Sequence, residues 1–114
     1  MGMTMTPQQR LERKGPPSAM EVWQRALHVA WQKARPKPMP KGEGRYQFFT
    51  SFDERNGRGV CELWRCGDVA PEGCENATED GLTWHGVRSE ALKAPLGQDD
   101  ADEAVRALFA RFEG

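Results

Sequence analysis

Between Tyr46 and Cys66 the chain reads YQFFTSFD, ERNGRG and VCELWRC, two runs of aromatic and β-compatible residues around an Asn56-Gly57 pair. Asn and Gly both tolerate the positive φ that tight hairpin turns require, so this stretch predicts two antiparallel strands, residues 46–53 and 60–66. A two-residue turn centred on Asn56-Gly57 sets Phe52 across from Cys61, Thr50 across from Leu63 and Phe49 across from Trp64. Tyr46, Phe48, Phe52, Cys61 and Leu63 then share one face, and Phe49, Ser51, Asp53, Val60, Glu62 and Trp64 the other. The first set is the more apolar and is the expected core side. A slip of one residue would exchange the two faces.

Helical patterns bracket this hairpin. Ser18 and Glu21 have capping-box spacing, and Met20, Trp23, Leu27, Ala30, Trp31 and Ala34 recur on one helical face until Pro36 stops the run. Pro36, Pro38 and Pro40 alternate with Lys37, Met39 and Lys41, which predicts an extended, stiff connection into the first strand. Near the other end, Ala101, Ala104, Val105, Leu108 and Phe112 share a face behind Asp99 or Asp100 as cap. Residues 67–81 read as a polar loop, a third strand is expected at about 82–87, and residues 89–97 could begin a short helical turn before Pro95 and Gly97 break it. Residues 1–17 have no apolar period and predict a flexible arm, with a single domain over 18–114. The expected fold is α+β in the order α-β-β-β-α, a three-stranded antiparallel sheet with two helices packed on one face.

The order helix, three strands, helix resembles that of the double-stranded-RNA-binding domain. In that family the last helix opens with a basic cluster that grips phosphate. Here the corresponding turn carries Asp99, Asp100, Asp102 and Glu103, which repel a phosphate backbone, so the family's interface is not expected.

Charge divides along the chain. The sequence has 16 basic and 17 acidic side chains and a net charge of −1. Residues 1–45 hold nine basic against three acidic, and residues 46–114 seven against fourteen. Such asymmetry bears on partners and association rather than on fold. No apolar run approaches the length of a membrane span and the first residues lack a secretory apolar stretch, so the expected location is the cytoplasm, with no membrane partner.

Cys61, Cys66, Cys74 and His85 are the residues that most resemble metal ligands. Their spacing contains no close pair such as C-x-x-C, and Cys61 and Cys66 have opposite parity on one strand, so no metal site is expected. An odd cysteine count without a secretion signal argues for free thiols. No nucleophile, base and orienting group share a local motif, and G-E-G at 42–44 and N-G-R-G at 56–59 are too short to cradle phosphate. No cofactor and no enzymatic activity are expected.

Two helices cover one face of a three-stranded sheet, so the other must meet water or a partner. Phe49 and Trp64 on that face, flanked by Asp53 and Glu62, have the anatomy of an interaction centre with a polar rim. The expected function is therefore that of a small adaptor or inhibitor docking on a protein partner with a basic surface, such as a nucleic-acid-processing complex. Accessory and anti-defence factors of phages and mobile elements are of this type. The alternatives are nucleic-acid contact through Lys33, Arg35, Lys37, Lys41 and Arg45, and a homodimer formed through the open sheet face.

Overall fold

The computed structural model describes residues 17–68 and 70–113, so the predicted arm lies outside the described residues except for Pro17. The elements are α1 (Ala19–Ala34), β1 (Tyr46–Asp53), β2 (Arg58–Cys66), β3 (Glu75–Glu79), β4 (Leu82–Arg88), β5 (Leu92–Lys93) and α2 (Gln98–Glu113). The class is α+β with an antiparallel sheet. Among the described residues no helix is long and apolar enough to cross a membrane.

Helix α1 begins where its cap chemistry dictates. Ser18 is extended and its hydroxyl accepts a hydrogen bond from the Glu21 amide at 3.2 Å, satisfying an orphan donor of the first turn. The helix ends at Ala34, because Arg35 has already turned extended ahead of Pro36. Trp23, Ala26, Leu27, Ala30 and Trp31 are buried along one face. Helix α2 starts at Gln98, two residues earlier than a cap at Asp99 would allow. Asp99 and Asp100 therefore sit inside its first turn, where their charge suits the helix dipole.

The sheet is larger than three strands. Its order is β1-β2-β4-β3, with β5 paired to the beginning of β2. Strand β3 lies within the predicted polar loop. Its sequence, ENATE, is exposed throughout, so no burial pattern announces it; backbone pairing with β4 holds it in place. The turn between them is the two-residue Asp80-Gly81, both residues at positive φ, with Glu79 across from Leu82. The Asn56-Gly57 connection is instead a four-residue loop. Asp53 pairs with Arg58, and its carboxylate accepts from the Arg55 amide at 3.0 Å and from the Asn56 side chain. An Asp at the start of a turn closes its own loop in this way, which lengthens the connection by two residues.

The consequence is a register two residues away from the expected one. Phe49 faces Glu62 rather than Trp64, and Trp64 faces Gln47. Because side chains alternate with period two, a shift of two preserves the faces. Residues 89–97 hold no helical turn. Strand β4 breaks after Arg88, and Ser89 fills the gap: its hydroxyl accepts from the Cys61 amide at 2.9 Å while its own amide donates to the Cys61 carbonyl at 2.8 Å. The chain then rejoins the edge of β2 as β5.

Tyr46, Phe48, Phe52, Cys61, Leu63 and Val87 meet the helices. Helix α1 approaches the sheet mainly at β1, and α2 at β2 and β4. Trp23 lies 5.0 Å from Phe52 between ring centroids, and Trp31 stacks on Phe48 at 5.4 Å. From α2, Phe109 and Phe112 close on Tyr46 at 4.8 and 5.9 Å. The two helices also hold one another, through a Lys33 to Asp102 ion pair at 2.9 Å and a hydrogen bond from the Gln98 amide group to the Ala26 carbonyl at 2.8 Å.

Candidate functional site

The side of the sheet turned away from the helices carries three cross-strand rows. Arg45 aligns with Cys66, Trp84 and Ala77; Gln47 with Trp64, Gly86 and Glu75; Phe49 with Glu62 and Arg88. On it lies a trough of about 300 Å³ lined by Gln47, Phe49, Glu62, Trp64, Ala77, Glu79 and Trp84. Phe49 is 50% exposed, which makes it the most open of the large apolar side chains among the described residues.

Trp64 is held in a defined orientation. A Cβ placed on Gly86 would fall within 3.0 Å of three indole atoms, so the ring lies flat against the backbone of β4. Its Nε1–H donates to the Glu62 carboxylate at 3.0 Å. The other oxygen of Glu62 faces the Arg88 guanidinium at 3.3 Å, which also reaches Glu75 at 3.7 Å. One face of the indole is thus packed on glycine while the other looks into the trough. Trp84, only 3% exposed, forms the inner wall, and the Arg45 guanidinium lies over its ring at 5.0 Å from the centroid. The Trp84 indole N–H is buried without a hydrogen-bond partner among the described residues.

Of the four residues expected at a docking face, Phe49, Trp64 and Glu62 line this trough together. Asp53 does not: it sits at the hairpin end, with its carboxylate engaged in the turn. Trp84 enters the site from β4, the expected third strand, whereas Ala77 and Glu79 enter through β3, which was not expected. The Asp80-Gly81 pair was the available signal for that hairpin.

The five basic residues of the alternative site do not form one row. Lys33 is ion-paired to Asp102 on the helical side, whereas Arg45 stacks on Trp84 on the opposite side of the sheet. Arg35 follows the last turn of α1, its Nε buried without a partner among the described residues, and Lys37 and Lys41 are exposed in the connection.

Cys61 faces the helices and Cys66 the trough side, both buried, so their thiols point apart. Burial pushes the Cys61 thiol pKa up, and the Ser89 hydroxyl partly offsets this. Cys74 and His85 do approach, at 4.0 Å, beside Asn76, whose side-chain oxygen is 2.7 Å from His85 Nδ1. Thiol and amide address the same ring nitrogen. A nucleophile, base and orienter relay needs both nitrogens of the imidazole, one for each neighbour, and that arrangement is not formed. Among the described residues no group of three or more His, Cys, Asp and Glu side chains is placed to hold a metal ion.

Comparison of the chain with family models, curated proteins and solved structures returns no match.

Proposed function

We propose that this protein is a non-enzymatic docking module, an adaptor or inhibitor, that engages a protein partner through the helix-free face of its sheet. The supporting observation is the trough itself. A half-exposed Phe49 stands beside a Trp64 ring already fixed by Gly86 and Glu62, so a visiting group can remove aromatic surface from water without first ordering the ring. The charged side chains of the lining, Glu62 and Glu79, are both acidic, which suits a partner presenting a basic surface. A nucleic-acid-processing complex offers such a surface, and an accessory or anti-defence role against one fits the size of the domain.

The test compares wild type with Phe49→Ser as baits in quantitative affinity capture from host lysate. The Phe49 side chain carries little of the core, so the variant should unfold within a few degrees of wild type while its capture of the principal partner falls several-fold. Equal capture by both baits, or retardation of labelled duplexes at moderate salt with no protein partner recovered, would refute the proposal.

A further inference from the structure

We infer that the trough beside Trp64 is a receptor for an arginine side chain of the partner; this names the ligand of the docking face and rests on that reading. Three properties of the site converge on a guanidinium. The first is shape: Trp64 lies flat on Gly86 and shows its remaining face to the trough, between Phe49 and the wall formed by Trp84. A planar group stacks on such a surface, and the negative face of an indole attracts a cation.

The second is charge. Glu62 and Glu79 line the trough and no basic side chain does. The carboxylate of Glu62 is already shared between the Trp64 indole N–H and Arg88, whereas the carboxylate of Glu79 is on an exposed residue and makes no hydrogen bond or ion pair with another described residue. An entering cation therefore finds its principal counter-ion in Glu79, with Glu62 as a second acceptor. A guanidinium can stack by its plane and donate from its edge at once, which the compact ammonium of lysine cannot.

The third is that the molecule already uses this contact on the same surface. The Arg45 guanidinium lies over the Trp84 ring, one row from Trp64. A single-stranded nucleic acid would also stack on exposed aromatics, but its phosphates would have to run past Glu62, Glu75 and Glu79, all on this face. The arrangement favours arginine.

The test uses the full chain labelled with nitrogen-15 and follows its tryptophan indole N–H resonances, with Trp64 identified from a Trp64→Phe variant. The probes are acetyl-Gly-Arg-Gly-amide, the same peptide with neutral citrulline in place of arginine, the lysine peptide, and oligothymidylate. The arginine peptide should shift the Trp64 resonance saturably, with binding at least about tenfold tighter than for citrulline. Glu79→Gln, at an exposed position, should weaken the arginine peptide while leaving the rest of the spectrum in place. Equal binding of the citrulline peptide would overturn guanidinium recognition and leave an apolar docking groove standing. No shift at Trp64 with the arginine peptide, while Phe49→Ser still abolishes partner capture, would overturn this inference alone. A shift produced by oligothymidylate and not by arginine would overturn both readings.

Discussion

Gly86→Ala is the substitution with the most readable outcome, because the structure says which group must yield. The added methyl would lie within 3.0 Å of three Trp64 ring atoms, and ordinary contact begins at 3.4 Å. Trp64 is half-buried and its outer face looks into the trough, so the ring can lift rather than force the backbone apart. Lifting exposes one indole face, about half of the ~200 Å² that a tryptophan buries, which at ~25 cal/mol per Å² costs about 2.5 kcal/mol. The hydrogen bond to Glu62 is lost as well, adding about 1 kcal/mol, while alanine's better strand entropy returns about 0.5–1 kcal/mol. The expected net loss is about 2.5–3 kcal/mol, read as a lower urea midpoint with an unchanged slope. A double-mutant cycle supplies the refutation: in a Trp64→Ala background the methyl meets no ring, so its penalty should nearly vanish. A Gly86→Ala cost that is negligible, or that is as large without Trp64 as with it, would show that the indole does not rest on this glycine.

Ser89→Ala removes the acceptor of the Cys61 amide at the break in β4 and should cost about 1–3 kcal/mol in the same urea assay, because a partly buried donor is left unpaired. Hydrogen bonds from Gln98 and Lys33 hold the Asp102 carboxyl pKa below its ordinary value of 3.8. The stability this contributes is complete above that ordinary value and is lost as pH falls through the depressed one. Thermal midpoints taken from neutral to acid pH should therefore fall more steeply for wild type than for Asp102→Asn. In the folded protein Ellman's reagent should modify Cys74 first, with Cys61 and Cys66 reacting only after addition of urea, since both are buried and Cys61 is also kept protonated by burial.

Much of the fold is legible because it follows from local rules. The Ser18 cap, the Pro36 stop and the apolar stripe of α1 each depend on residues a few positions apart, and each is where that chemistry puts it. The faces of the β1-β2 hairpin are legible for a different reason. Asp53 lengthened the turn by closing on Arg55 and Asn56, but the shift of two residues left every side chain on its own side. The pairing across the strands was not legible, since it depends on the loop geometry. Strand β3 hid because ENATE has no alternation and Ala77 as its one apolar residue, and it is held by pairing with the backbone of β4. With β3 hidden, the far wall of the trough was hidden too. Phe49, Trp64 and Glu62 could be placed from parity alone, whereas Trp84, Ala77 and Glu79 need the full strand order.

The polar ties of α1 to the remainder of the domain have a consequence for how the chain acquires its structure. Trp23 donates to the Leu92 carbonyl, Lys33 meets Asp102, and the Ala26 carbonyl accepts from Gln98, at separations of 69, 69 and 72 residues. Of the described elements α1 is made ahead of the sheet, and it receives these fastenings only once residues 92–102 have followed. Until then, of their final aromatic neighbours, Trp23 and Trp31 have only Phe52 and Phe48 of β1. Such long-range closure is slow compared with that of helical bundles of similar size.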